Sequence, residues 1–276
     1  MSIQILRLAG VFYLVDAVAY VVYFAKPRLR WLAGAGQTVL AIAFVVHAAA
    51  IGFGCKEFGG TEFFSLRGGF IVLSWLAGGA FLVLNRMYRI PTLGAFVLPL
   101  ILVVLLPALF LGHSGRIEVI PDAIRRPALP VHIISAFLGI ALFALAAGVA
   151  VMYLLQEREV KGKRFGALFS RLPSLDSLDK LNQRLVRAGF VVFTLALVTG
   201  TIIARNVWKS AWSWDPQQVS SLVVWLLYGV MVQLRHTGWH GRRYAMLTLV
   251  GFALVIGSMV GLAVVPDVTR HGGDYQ

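Results

Sequence analysis

Residues 131–155 read VHIISAFLGIALFALAAGVAVMYLL, a run of 25 residues without any Asp, Glu, Lys or Arg. A helix needs about 20 mostly apolar residues to cross the hydrocarbon core of a membrane, so this run predicts a membrane span. Comparable segments occur at 3–25, 32–54, 66–86, 92–112, 185–204, 217–235 and 243–265. The sequence therefore predicts an all-α polytopic membrane protein with about eight transmembrane helices, which form a single membrane domain over residues 1–276.

The composition agrees with a membrane protein. Of the 276 residues, 59% are hydrophobic and 13% are charged, whereas soluble domains carry about a quarter charged residues. The formal net charge of +13 is explained by Lys and Arg in cytoplasmic loops, so we expect no nucleic-acid partner. A single cysteine, Cys55, excludes an internal disulfide, a CxxC redox pair and a cysteine zinc cluster.

The distribution of basic residues predicts the orientation. Eight spans place both termini on one side of the membrane. The loops after spans one, three, five and seven hold 16 Lys and Arg, and the opposite side holds 9. Because basic residues concentrate in cytoplasmic loops, both termini and the Trp-rich loop at 205–216 are expected on the outer side.

One connection is long enough to hold a further element. Residues 156–184 form a basic linker on the predicted cytoplasmic side, and leucines recur at 175, 178, 181 and 185. This helical spacing with one apolar face predicts an amphipathic helix. We expect it to lie on the membrane surface, with its basic residues near lipid headgroups, before the chain turns into span six.

The Trp-rich loop combines aromatic rings with a helix start. Trp208, Trp212 and Trp214 offer flat apolar faces, which is what stacking on a porphyrin requires. Asp215 and Pro216 precede an apolar segment, where an acidic residue caps free N–H groups and proline suits the first turn. The alternatives are an ordinary interfacial aromatic belt for the tryptophans and a purely capping role for Asp215.

The histidines divide by predicted depth. His132 opens span five and His271 follows span eight, both on the side of the Trp-rich loop. Two imidazoles from separate helix ends match the axial ligands of six-coordinate haem iron. His47 lies within span two, where an ionisable residue suggests function. The alternatives are solvated outer histidines, and for His47 a neutral imidazole hydrogen-bonded to a neighbouring helix.

Residues 208–218, WKSAWSWDPQQ, and the following VSSLVVWLLYGVMVQLR resemble the tryptophan-rich WWD segment of cytochrome c assembly proteins of the CcsA (ResC) and HemX type. The resemblance extends over residues 130–271 and is weaker before them, where His47 fits the family's intramembrane histidine. It implies two outer axial ligands of haem b, a haem-presenting loop and one ligand of an inner haem site. The outer axial ligands would be His132 and His271. The haem-presenting loop would be formed by Trp208, Trp212, Trp214 and Asp215, and the ligand of the inner site would be His47.

The chain departs from the family pattern near these residues. The family usually has Gly after the first Trp, an aromatic residue before the last pair and Lys-Glu after the Pro. Here these positions hold Lys209, Ala211, and Gln217 with Gln218. The family's second intramembrane histidine falls on Gln233, with His236 three residues later. Since glutamine is not a strong haem ligand, either the inner site lacks its second ligand or His236 takes this role from one turn away. The resemblance therefore carries over better for the outer site than for the inner one.

The resemblance implies a haem-handling protein of cytochrome c biogenesis in the plasma (inner) membrane. It would bind haem b and present it on the Trp-rich loop for attachment to a CxxCH apocytochrome c. The chain would then be the haem-delivery subunit of a cytochrome c synthase and would act with a ResB-type membrane partner. Because the chain has no CxxC of its own, the reacting thiols would come from the substrate.

Two other functions remain open at this point. A HemX-type membrane regulator of haem biosynthesis, acting on the level of glutamyl-tRNA reductase, would use the same haem-handling core. A haem-free transporter of small solutes or protons would use Asp16 and His47 as a proton path. The Trp-rich loop and the outer histidines argue against this last alternative.

Overall fold

The computed structural model describes residues 1–58, 65–110, 128–163, 166–208 and 210–264. In these ranges the regular structure is helical. The helices are α1 Ser2–Ala25, α2 Trp31–Phe58, α3 Leu66–Tyr88, α4 Gly94–Phe110, α5 Ala128–Lys161, α6 Ala167–Arg171, α7 Leu175–Trp208, α8 Pro216–Leu234 and α9 Arg242–Val264. Two 3₁₀ turns, Pro91–Leu93 and Arg235–Thr237, precede α4 and follow α8.

The prediction of eight membrane helices is confirmed. Within the described residues, every α-helix except the short α6 contains a segment long and apolar enough to cross a membrane. The ends of the helices follow local chemistry. For example, Ser65 Oγ accepts a hydrogen bond of 3.0 Å from Gly68 N at the start of α3, and Arg89 ends that helix in a left-handed conformation.

The long connection differs from its expected form. Residues 175–184 do not form a separate surface helix that turns into span six, because they are the first part of the continuous helix α7. Leu178, Leu181 and Leu185 are buried, so the leucine face contacts protein. The change from amphipathic to apolar sequence does not interrupt backbone hydrogen bonding, and only a helix breaker would end the helix there.

The helices form two compact units. The first contains α1 to α4, the end of α5 from Met152, α6 and the first residues of α7. In it, α1 packs against α2 and α4, and α3 packs against α4 and α2. Its core includes Tyr13, Tyr20, Leu40, Phe81 and Leu98, all fully buried.

The second unit contains α5 up to Val151, α7 from Asp179, α8 and α9. Phe143 of α5 stacks on Tyr228 of α8, with ring centroids 3.5 Å apart. Trp225 of α8 donates a hydrogen bond of 2.9 Å from Nε1 to Thr194 Oγ1 of α7. Aromatic side chains thus lie at the contacts of α8 with α5 and with α7.

The helices α5 and α7 approach most closely at glycines. A Cβ at Gly139 would lie 3.0–3.2 Å from the Cβ, Cα and backbone N of Phe193, and a Cβ at Gly189 would lie 2.6 Å from the ring of Phe143. The contacts run in opposite directions along the two helices, so α5 and α7 are antiparallel. Small residues at helix contacts permit such close approach in membranes.

Candidate functional site

His132 is held by the contact between α5 and α7. It lies in the first turns of α5, and its Nδ1 is 2.8 Å from the backbone oxygen of Ala196 in α7. A carbonyl oxygen can only accept, so Nδ1 carries the hydrogen of this bond. In the neutral imidazole Nε2 then keeps its lone pair, and the described residues offer Nε2 no hydrogen bond. The contact therefore fixes both the tautomer and the ring orientation.

Gly200 makes room for this imidazole. A Cβ at Gly200 would lie 2.8 Å from His132 Cε1 and 3.1 Å from Nδ1, and contacts under 3 Å force a displacement. His132 also shares its acceptor, because Thr199 Oγ1 donates to Ala196 O at 3.1 Å. The sequence alone did not reveal these partners, since the acceptor is a backbone oxygen and Gly200 is one of 28 glycines.

The Trp-rich loop lies at the same end of the second unit as His132. Gly200, which contacts His132, precedes Trp208 by eight residues of α7, or about 12 Å along a helix. The main chain of Trp208 ends α7, while its side chain and Lys209 lie outside the described residues. The structure therefore brings His132 and the loop to one end of this unit.

Asp215 and Pro216 begin α8 as the sequence predicts. Asp215 Oδ1 accepts a hydrogen bond of 2.8 Å from the backbone N of Gln217, and Pro216 occupies the first helical position. A side chain in this place satisfies an N–H group that the helix itself cannot. The capping role of Asp215 is thus confirmed.

Three polar residues, whose structural role the sequence analysis did not identify, hold the loop in its conformation. Gln218 Oε1 accepts from Ser213 N at 2.9 Å and from Ser213 Oγ at 3.2 Å, and Ser210 Oγ donates to Trp212 O at 2.6 Å. A glutamine three positions after an N-cap reaches back toward the preceding backbone, as in a capping box. That spacing was visible in the sequence. Gln218, which departs from the family pattern, therefore organises the loop through its amide oxygen.

The rings of Trp212 and Trp214 do not form a flat platform. The rings are 5.5 Å apart and nearly perpendicular, at 86°, so a planar ligand that stacks on one meets the edge of the other. Trp214 is 76% exposed and has a φ of 56°, a conformation that costs a bulky residue about 1–3 kcal/mol. The loop thus holds a large apolar ring outward at some cost in stability.

Removing the Asp215 cap should weaken the loop measurably. We expect Asp215→Ala to lower the free energy of unfolding by about 1 kcal/mol, because one N–H group of α8 loses its acceptor. Asp215→Asn keeps an acceptor and should stay close to wild type, since Asn caps about as well as Asp. Unfolding by a denaturing detergent in mixed micelles measures both. Equal losses in the two variants would show that the carboxylate charge, and not the cap, stabilises the loop.

His47 lies in the first unit and is fully buried in α2. Its Nδ1 is 3.4 Å from the hydroxyl of Tyr13 in α1, and the two rings meet edge to face at 5.8 Å. Among the described residues, its Nε2 has no hydrogen-bond partner. The expected contact of His47 with a neighbouring helix is therefore present, and a second nitrogen is unused.

The remaining candidate residues are placed as follows. Gln233 near the end of α8 and His236 in the following 3₁₀ turn are both exposed. His271, the second expected outer ligand, and His113 lie outside the described residues. The described residues thus include one member of the expected outer pair, His132, and one member of the expected inner pair, His47.

Comparison with known proteins identifies relatives. The model of the cytochrome C assembly protein family matches residues 65–265. The cytochrome c biogenesis protein CcsA of Synechococcus elongatus is 25% identical over 84% of this chain and 85% of its own length. The CcsA of Prochlorococcus marinus is 38% identical over a shorter stretch, 32% of this chain and 28% of its own.

A solved structure shares the fold. The cytochrome c heme lyase CcmF superposes with a TM-score of 0.64 at 13% identity, over 99% of this chain and 50% of that chain. This protein thus spans half the length of CcmF, and the likeness concerns the fold alone. Together with the family match over most of the helical chain, these relatives show that the protein belongs to the cytochrome c assembly protein family.

Proposed function

We propose that this protein holds haem b on the outer face of the plasma (inner) membrane and presents it on the Trp-rich loop for attachment to a CxxCH apocytochrome c. The observation that carries this proposal is the fixed tautomer of His132. Its Nδ1 donates to a backbone oxygen, and its Nε2 lone pair is free for iron. Histidine ligands of metals almost always donate their other ring hydrogen in this way, which orients the ring and raises its basicity.

The second axial ligand is proposed to be His271. Low-spin haem iron takes one nitrogen on each side of the ring, and one described imidazole therefore requires a partner. His271 follows the last helix, and the excess of basic residues at the other helix ends supports placing this end outside. When bound, haem would supply the iron for the two imidazoles, and its vinyl groups would react with cysteine thiols.

The Trp-rich loop supports the presentation step. Trp214 extends outward from a strained backbone position, so one face of its ring is accessible to a flat apolar ligand at the end of the unit where His132 lies. Gln218 and the Asp215 cap fix the residues on either side of it. The residues thus orient a ligand and leave one side open to a second protein.

The substrate is proposed from the cysteine content of the chain, and the partner from its resemblance to CcsA-type proteins. It has one cysteine, so the thiols for thioether bonds would come from the CxxCH segment of the apocytochrome. We propose that the chain acts as the haem-delivery subunit of a cytochrome c synthase together with a ResB-type membrane protein. Coexpression of the two with a CxxCH reporter, followed by haem staining of denatured protein, tests this role.

His47 is proposed as a ligand of an inner haem site. Its buried and unpartnered Nε2 suits an iron ligand. The position of the family's second inner histidine holds Gln233, which is exposed, and an amide does not replace an imidazole. The described residues therefore fit half of an inner site, and it is the sequence that offers a second histidine, His271, for the outer site.

Absorption spectra of the purified protein test the outer site. After dithionite reduction, we expect sharp low-spin bands in wild type and loss of these bands in His132→Ala and in His271→Ala. Added imidazole should restore the bands in His132→Ala, because it replaces a missing ligand in a folded protein. His240→Ala is the matched control, since this exposed histidine lies at the other end of α8 and α9.

Two results would contradict the proposal. If wild type neither purifies with haem nor gives a low-spin spectrum with added haem, the Trp-rich loop is an aromatic belt. If His132→Ala keeps the wild-type spectrum while His47→Ala loses it, haem is bound at the inner position and His132 has a structural role.

A further inference from the structure

Asp16 in α1 is a buried acid that the proposed haem site does not use. It is 0% exposed, and neither carboxylate oxygen has a hydrogen-bond partner among the described residues. Within α1 it lies about 21 Å from Ser2 and about 14 Å from Ala25, which places it well inside the membrane. An acidic residue at this depth is costly and marks function by default.

The ionisable groups on the surrounding helices do not neutralise Asp16. No salt bridge to it is present in the described part of the chain, and no cluster of three or more acidic, histidine or cysteine side chains is found there. Within the bounds of α4 and its 3₁₀ turn there is no ionisable side chain. The candidates are Arg7, Tyr13, Tyr20 and Tyr23 on α1; His47, Cys55, Lys56 and Glu57 on α2; and Arg67, Arg86 and Tyr88 on α3.

Most of these groups have other partners or lie far from Asp16 along their helices. Arg67, near the start of α3, donates from Nε to Ala108 O at 3.0 Å. Glu57, near the end of α2, pairs with the N-terminal amine at 2.9 Å. Of the set, only Tyr13 and Tyr20 interact electrostatically with Asp16, and a tyrosine hydroxyl does not offset a negative charge. An ionised Asp16 would thus be an uncompensated charge in an apolar interior.

A polar path leads from Asp16 toward the end of the unit where α1 and α2 are joined. A point at the Cβ position of Gly36 is 3.0 Å from Asp16 Oδ1 and 3.1 Å from Tyr20 Cζ, so the acid and the phenol are neighbours. Asn85 Nδ2 donates to the Tyr20 hydroxyl at 3.1 Å and to Gln37 Oε1 at 2.6 Å.

The path becomes more exposed along its length. Tyr20 is fully buried, Asn85 is 6% exposed and Gln37 is partly exposed. Since Tyr20 uses its oxygen as an acceptor for Asn85, its own O–H hydrogen remains available for donation.

We propose that Asp16 is a reversible proton-binding site inside the membrane, reached from the α1–α2 end of the first unit through Tyr20, Asn85 and Gln37. A proton is the one cation that needs no further ligand, whereas sodium or a divalent ion requires several oxygen donors. Asp16 has none within hydrogen-bond distance in the described residues. The assignment is independent of the haem proposal.

The infrared spectrum of the wild-type protein tests it directly. A protonated Asp16 gives the carbonyl band of a carboxylic acid, and exchange with solvent shifts this band in D₂O. We expect the band in wild type, its loss in Asp16→Asn and its displacement in Asp16→Glu, which keeps an acid. Tyr20→Phe and Gln37→Leu should keep the band and slow its shift in D₂O.

Labelling with dicyclohexylcarbodiimide gives an independent readout by peptide mass. The carboxyl oxygen bonds to the central carbon of the reagent, the acid proton moves to one nitrogen and a C=N double bond becomes single. An acyl shift from oxygen to nitrogen then gives a stable N-acylurea. We expect this adduct on Asp16 with a yield that falls as pH rises. In the matched variant Glu57→Gln, labelling of Asp16 should be unchanged.

Two outcomes overturn the proposal. If no acid band in the wild-type spectrum is removed by Asp16→Asn or displaced by Asp16→Glu, Asp16 is not a protonated acid. If the band is present but does not shift in D₂O, the carboxyl is permanently neutral and the polar path does not exchange protons. Because neither experiment uses haem, both results are separate from the test of His132.

Discussion

Replacing Asp179 with alanine should lower the free energy of unfolding by about 3 kcal/mol, because it leaves the guanidinium of Arg235, which is mostly shielded from solvent, without its counter-charge. Arg235 and Asp179 form a bidentate pair, Nη1 to Oδ1 at 3.0 Å and Nη2 to Oδ2 at 2.6 Å. Their side chains are 9% and 14% exposed. Unfolding in mixed micelles with a denaturing detergent measures the loss.

The pair joins elements that are distant in sequence. Asp179 is in the first turns of α7, and Arg235 follows α8. Asp179 Oδ1 also accepts from Gly241 N at 2.9 Å, in a turn that Gly238 and Gly241 make with positive φ angles of 87° and 64°. The Arg235 guanidinium lies 5.4 Å from the ring centre of Tyr244 in α9. One carboxylate thus connects α7, the turn and α9.

Two controls separate the charge from the position. Asp176→Ala makes the same substitution at an exposed site of α7 and should cost less than about 1 kcal/mol. The double variant Asp179→Leu with Arg235→Met should be more stable than Asp179→Ala, since apolar residues often replace a buried ion pair at little cost. A loss of less than 1 kcal/mol in Asp179→Ala would show that the pair is solvated and contributes little.

The parts of the structure that the sequence predicts well depend on local patterns. The spans follow from the lengths of apolar runs, and the start of α8 follows from Asp215 and Pro216, whose roles need no distant partner. The turn expected between the amphipathic stretch and span six is absent, because hydropathy changes there while no proline interrupts the backbone.

The contacts that orient His132 and hold the second unit together are long-range, and nothing in the sequence marks the residues as partners. His132 is recognisable as a candidate ligand, but its acceptor is the main chain of an alanine 64 positions away. The partner of Asp179 is 56 positions away, and the sequence does not distinguish it from the other arginines as the one that forms the ion pair. Such pairs become visible only when the register between α5, α7 and α8 is known.

Gly200→Val should weaken haem binding about 10- to 100-fold, the usual effect of losing a hydrogen bond that orients a metal ligand. The Cβ of the new side chain would lie 2.8 Å from His132 Cε1, and the two methyl groups on that carbon add to this overlap. The ring must move, and the bond from Nδ1 to Ala196 O breaks. Titration with haem, followed by the low-spin absorption bands, measures the change.

The variant series distinguishes displacement of the ring from general damage to the helix pair. Gly200→Ala should have a smaller effect than Gly200→Val, because a single methyl group moves the imidazole by less. Gly257→Val is the matched control in α9 of the same unit, since a Cβ at that position meets nothing within 4 Å, and it should bind haem like wild type.

The stability of these variants decides how a loss of haem binding is interpreted. If Gly200→Val binds haem weakly but unfolds at the same detergent concentration as Gly257→Val, the imidazole orientation has been lost and the fold has been kept. If Gly200→Val binds haem as well as wild type, the orientation of His132 by Ala196 is not needed for iron ligation. The central argument for the outer haem site would then fail, even if His132→Ala lost the spectrum.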